Sequence, residues 1–301
     1  MVSKSQHACP SLDALVCGYS SLNQERKVLI MLQGFADESE GRILSLTGCI
    51  STYPQWDLVS NDWAAALAES PSIEYFHMRE ARDLSGQFEG FDVTKRDLKI
   101  VRLVSVALAH KPDVLTTWMM ADDYTSIVGS VSPYETHTGY LPCFYALLFR
   151  GAAYSRDHNL KLPIDFVFDE KGKIGTYALN WYDAVKSAAD ATLKPFFGAT
   201  PIFRDDMQIV PLQVADLIGW HVHRKLESPG YDIERIATER LDELWQKDVH
   251  LDTPYLMELA AQFSEVFDQN PLAFLVREKP SKRRKIIGKL KKQLKRRLEK
   301  L

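Results

Sequence analysis

The sequence predicts an α/β protein: a mixed sheet flanked by helices, with a C-terminal helical appendage and a basic terminal helix. Three observations carry this. Short apolar runs alternate with longer stretches of helical period, two of the short runs lead straight into aspartate, and basic residues crowd into the last segment. With 301 residues, 46% hydrophobic and 26% charged, the chain can bury a sizeable core, and wholesale disorder is excluded.

Residues 1 to 26 show no sustained period and form an N-terminal extension. The body, 27 to 228, opens with apolar runs at Lys27 to Ala36 and Arg42 to Thr52, predicting a hairpin with Asp37, Glu38, Ser39 and Glu40 at its turn. Pro54 opens a helix carrying Trp56, Val59, Trp63 and Leu67, and Ile73 to Met78 is expected as a third strand that completes an antiparallel meander. Thr94 to His110 is a buried helix stopped by Pro112, and Asp113 to Met120 is a strand. A long helix over Gly139 to Asn159 precedes a buried strand, Leu162 to Phe168, which delivers Asp169 at its carboxyl end. Helices follow at Tyr177 to Asp190 and Pro211 to Lys225, with a strand near Gly198 to Phe203 between them.

Pro229-Gly230 marks a boundary, and the appendage at 229 to 276 is expected to be helical, over Ile233 to Gln246 and Thr253 to Gln269. The tail, 277 to 301, spaces Ile287, Leu290, Leu294, Leu298 and Leu301 as one face of a basic amphipathic helix. It holds 13 Lys/Arg against 2 Asp/Glu, leaving 24 of the 37 basic and 38 of the 40 acidic residues in an acidic body. Lys282, Arg283, Arg284, Lys285, Lys291, Lys292, Lys295, Arg296 and Arg297 are its candidate phosphate contacts. The same pattern serves a protein partner or an anionic membrane surface.

No apolar window reaches the length of a membrane span, and the N-terminus lacks a signal-peptide pattern, so a cytoplasmic location is expected. The four cysteines have neither zinc-pair nor disulfide-frame spacing and are expected to be reduced thiols.

Three acids stand out by position. Asp37 follows one apolar strand, Asp169 ends another, and Asp216 lies in an apolar helical segment one turn beyond Gln213. An aspartate after a strand also serves as a turn former or helix cap, and a buried aspartate in a helix is met either by a hydrogen bond or by a cation. Taken singly, none of the three decides between these roles. Their order along the chain resembles the ribonuclease H-like fold. Asp37-Glu38-Ser39 after the first strand, the strand ending in Asp169, and the Gln-x-Ala-Asp-Leu pattern of Gln213 to Leu217 preceded by Asp206 resemble the family called domain of unknown function 3800, from about Val28 to Arg224.

The resemblance implies a metal-dependent nuclease for RNA, DNA or a hybrid, with Mg²⁺ or Mn²⁺, one ion or two, held by Asp37, Asp169 and Asp216. Glu38 or Glu80 would complete the catalytic carboxylates; Ser39, His77, Asp206 and Gln213 would stand behind them or face the substrate. Phe76 stands where the family has a glutamate before the histidine, and His77 is equally read as a strand-end residue with a satisfied hydrogen bond. His221 and His223 point to opposite sides of one helix and are not a ligand pair. The alternative is a non-catalytic module that binds nucleic acid or a partner on the same fold. A phosphotransferase is disfavoured because no Gly-rich phosphate loop accompanies Asp37.

Overall fold

The computed structural model describes residues 31–129, 139–160, 162–227 and 239–269. The N-terminal extension and the basic tail lie outside them, so the candidate phosphate contacts have no structural placement. A six-stranded mixed sheet forms the centre, with strands β1 (Leu32–Glu40), β2 (Ile43–Thr52), β3 (Asp113–Met120), β4 (Ile164–Asp169), β5 (Ile202–Arg204) and β6 (Trp245–His250) in the order β5-β4-β1-β2-β3-β6. β2 runs antiparallel to β1 and β3, whereas β4 is parallel to β1, β5 to β4, and β6 to β3.

Helices cover both faces, and strand alternation decides which residue meets which layer. On one face lie α1 (Tyr53–Ala68), α3 (Val93–His110) and α7 (Val210–Glu227). Their Trp56, Trp63, Leu103, Leu212 and Ile218 close a core with Phe35 and Cys49 of the sheet. On the other face α5 (Tyr140–Asp157), α6 (Gly172–Ala188), α4 (Ala121–Ile127) and α8 (Thr253–Gln269) pack Phe144, Leu147, Tyr182, Tyr124 and Leu256 against Ala36, Leu46 and Ile50. Strand β2 is buried from Ile43 to Ile50, which fits its central place. Pro54 stands in the first turn of α1, while Asp92 caps α3 by accepting from the Lys95 amide at 2.8 Å.

The hairpin turn is tighter than expected. β1 continues to Glu40, so the four residues from Asp37 to Glu40 belong to the strand, and only Gly41 and Arg42 make the turn. Ile73 to Met78 is not a strand. The chain is irregular up to His77, and α2 (Met78–Asp83) begins at Met78. Its amides find partners on α7 rather than on a strand: Phe76 N–H donates to Gln213 Oε1 at 3.1 Å and Met78 N–H to Asp216 Oδ2 at 2.7 Å. The meander is still present, with β3 in third place.

The appendage at 229 to 276 is also corrected. A 3₁₀ turn at Glu239–Glu243 leads into β6, which extends the central sheet, where a helix to Gln246 was expected. Among the described residues of this segment, α8 matches the helical expectation; 229 to 238 and 270 to 276 lie outside them. Helix α6 starts at Gly172, five residues before its expected start at Tyr177. Cys49 and Cys143 are free and buried, as reduced thiols would be. No helix among the described residues is long and apolar enough to cross a membrane.

Candidate functional site

β1 and β4 are parallel, and the last residues they pair are Ala36 and Phe168. Asp37 and Asp169 are therefore the first residues beyond that pairing, Asp169 at the carboxyl end of β4 and Asp37 within β1, which runs on to Glu40, near the strand ends where open α/β sheets receive ligands. Both follow residues of the α7-side core, Phe35 and Val167, at a spacing of two, so both face α7. β5 adds a third carboxyl end: its Arg204 pairs with Asp169, and the chain continues through Asp205 to Asp206.

Asp216 completes the convergence from the helix. Its buried carboxylate accepts the Met78 amide and stands 3.4 Å from Nδ1 of His77. One ligand atom each from His77, Asp206 and Asp216 falls within 4.8 Å of the others. Asp37 is in hydrogen-bond reach of Asp216. Asp169 accepts the backbone N–H groups of Glu170 and Asp206.

Crowded burial leaves these acids reluctant to ionise. Burial, then Glu38, Asp216, Asp169 and Asp206, drives the Asp37 carboxyl well above its ordinary range. Burial and the charge of Asp169 push Asp206 up to about 7. Asp216 rises to about 6, burial outweighing the opposing influences of His77 and the Met78 amide. Asp169 is raised too, chiefly by burial. Acceptor-only groups held this close require a proton or a cation among them.

Gln213 fixes the geometry. Its buried Oε1 accepts from Trp63 Nε1 at 3.0 Å and from the Phe76 amide, while its Nε2 donates to the Asp206 carbonyl at 3.0 Å. One side chain on α7 thus holds the two irregular segments that carry His77 and Asp206.

Two residues expected among the carboxylates go elsewhere. Glu38, one residue along β1, points to the opposite face and forms an ion pair with Lys171, which also reaches Glu40 at 3.4 Å. Burial is the main cause of the Glu38 carboxyl rising to about 7, and Lys171 opposes it. Burial alone would lower the Lys171 ammonium, but Glu38 and Glu40 offset that and leave it raised. Glu80 closes a turn: Tyr75 Oη donates to its Oε1 at 3.0 Å and the Gln87 amide to its Oε2 at 2.8 Å. Its carboxylate fills the space a side chain at Gly86 would need, and Gly86 has φ +53°. Ser39 stands opposite Ser45 in the β1–β2 register.

The carboxylate that stands with Asp37, Asp169 and Asp216 is Asp206. Its signal in the sequence was the Asp205-Asp206 doublet just past a strand, interpretable only once β5 is known to lie beside β4. Lys171 and the buried Tyr140 hydroxyl, which has no hydrogen-bond partner among the described residues, carried no sequence signal. His221 and His223 are indeed separate: His221 Nε2 bonds Asp242 at 2.9 Å, and His223 Nδ1 meets Ser45 Oγ at 3.0 Å.

Fold and site together define a mixed-sheet α/β protein with a partly buried histidine–carboxylate cluster near the ends of its parallel strands. Comparison with protein-family models, curated proteins and solved structures gives no match. The resemblance to domain of unknown function 3800 therefore rests on its motif residues alone.

Proposed function

We propose that this protein is a divalent-metal-dependent phosphodiester hydrolase acting on nucleic acid, built on a ribonuclease H-like fold. The carrying observation is the convergence of Asp37, Asp169, Asp206 and Asp216 with His77 at one end of the sheet. The fold reading is supported by the order of the acids on the sheet: first strand, end of the fourth, and a late helix, with three antiparallel strands followed by parallel ones.

The donor set fits a divalent ion. Carboxylate oxygens suit Mg²⁺ and Mn²⁺, and no Lys or Arg is recorded pairing with Asp37, Asp206 or Asp216 among the described residues. Asp37, Asp206, Asp216 and His77 would hold the ion, with Asp169 beside them. When bound, a divalent ion supplies activation of water and stabilisation of the charge that develops during displacement at phosphorus. The protein's own part is positional: α7 fixes Asp216 directly and fixes His77 and Asp206 through Gln213, so the acids are preorganised. The acidic body repels a polyanion, and the basic segment at 277 to 301 would supply the sequence-independent attraction that offsets this.

The test is cleavage of a panel of single-stranded, duplex and hybrid substrates with Mg²⁺ or Mn²⁺. The wild type is expected to cut at least one of them. Asp37→Asn, Asp169→Asn and Asp216→Asn should each remain folded and lose activity by orders of magnitude, because the amide keeps the volume but removes the charge. An intact panel with folded, ion-loaded protein would replace this reading with a binding module that does no chemistry.

A further inference from the structure

Resting on the metal-ion reading above, we infer that His77 is an ion ligand and that its imidazole makes the site select a first-row transition ion such as Mn²⁺ over Mg²⁺. Two acceptors face each other in the cluster. Nδ1 of His77 accepts the Arg79 amide at 3.3 Å, a long bond to its single lone pair that an ion bound there would displace. The same atom stands 3.4 Å from Oδ2 of Asp216, which is itself already accepting the Met78 amide. Two acceptors at that distance repel unless something positive lies between them. Neighbouring ligands of an octahedral ion bound at about 2.1 Å stand about 3 Å apart, close to the spacing seen. Asp206 supplies the third corner within 4.8 Å.

The imidazole is also held where it is. The amides on both sides of His77, those of Phe76 and Met78, are bonded to Gln213 and Asp216 of α7, which fixes the backbone that carries the ring.

Selectivity follows from donor chemistry. Mg²⁺ takes oxygen ligands and keeps several of its waters, whereas nitrogen donors raise the affinity of first-row transition ions. An all-carboxylate site would not discriminate in this way. With His77 in the set, one donor is worth more to Mn²⁺ than to Mg²⁺. Mn²⁺ is the weakest binder of its series, so it is the strictest probe.

The experiment is titration of the full chain with Mn²⁺ and with Mg²⁺, read by thermal shift and calorimetry, alongside His77→Asn. Asparagine retains an N-cap acceptor for α2 while replacing the nitrogen donor by an oxygen. Wild type should bind Mn²⁺ at least tenfold more tightly than Mg²⁺. His77→Asn should lose about tenfold or more in Mn²⁺ affinity, no less than the loss of an outer partner costs, with a smaller change for Mg²⁺. Pulsed electron paramagnetic resonance of wild-type protein with Mn²⁺ should show nitrogen coupling from an imidazole, a readout that needs no variant. Equal affinities in wild type, or bound Mn²⁺ without nitrogen coupling, would overturn the inference and leave the ion site standing; a proton on His77 would then be what bridges it to Asp216. If neither ion binds wild type, the metal reading itself fails.

Discussion

Asp37 and Glu38 are consecutive residues of one strand, and they end in opposite situations. Asp37 faces α7, among Asp169, Asp206 and Asp216, where His77 is the basic side chain in direct contact with the cluster. Glu38 faces α5 and is matched by Lys171. Burial raises both carboxyls, but only one has a cationic side chain against it. The difference teaches that strand alternation, with its period of two, can separate a structural charge from a functional one between adjacent positions. A buried ion pair closes its own account, whereas a cluster of acceptors remains open to an ion from solution.

The comparison is strained most by removing what holds the open side together. Gln213→Ala leaves Trp63 Nε1, the Phe76 amide and the Asp206 carbonyl without their partner. At about 1–3 kcal/mol for each buried unsatisfied group, the loss should be roughly 3 kcal/mol or more in urea unfolding. Ion affinity should fall with it, since His77 and Asp206 lose their common anchor. A stability loss with ion affinity unchanged would show that Gln213 supports the core and not the site.

On the closed side, Lys171→Met should cost about 1–3 kcal/mol by leaving Glu38 buried without its cation. The stabilisation by added ion should stay as in wild type. Loss of that response in the Lys171 variant would mean that the two faces are coupled and the contrast is false.

A smaller effect is expected from pH. Asp206 and Asp216 have pKa values raised from 3.8 to about 7 and about 6, so the native state binds protons more tightly than the unfolded chain does. Their contribution is fully present below about pH 4 and is lost as pH rises through 6 to 7. In ion-free buffer, the melting temperature of the wild type should therefore drop relative to Asp206→Asn between pH 5 and pH 8. Saturating ion should remove the difference in slope, because ion binding favours the ionised acids and strengthens as they deprotonate. A wild-type melting temperature that holds or rises relative to Asp206→Asn over that range would contradict the arrangement of the acids.

Much of the frame was legible. Pro112 set the start of β3, Thr253-Pro254 set the start of α8, and the apolar run before Asp169 gave β4, because breakers and periodicity act locally. Ile73 to Met78 misled because its apolar and aromatic residues suit a strand, yet two of its amides, those of Phe76 and Met78, are bonded to side chains of α7, a long-range choice that no local pattern encodes. β6 was hidden for a related reason: pairing with β3 overrides the helical pattern of Leu241 to Gln246. Asp37 and Asp169 were visible as acids ending apolar runs, and Asp216 as an acid inside an apolar helical segment. Asp206 in the cluster, and Glu38 and Glu80 away from it, depended on strand order and on which face of β1 each residue meets.

The most direct test of the central claim is the thermal shift caused by Mn²⁺ in Asp37→Asn and Glu38→Gln, measured side by side with wild type. Ion binding to the native state alone raises the melting temperature by mass action. The wild type and Glu38→Gln should both rise on adding Mn²⁺, and Asp37→Asn should not. Equal responses in the two variants, or a response lost only in Glu38→Gln, would contradict the assignment of the ion site to the α7 face.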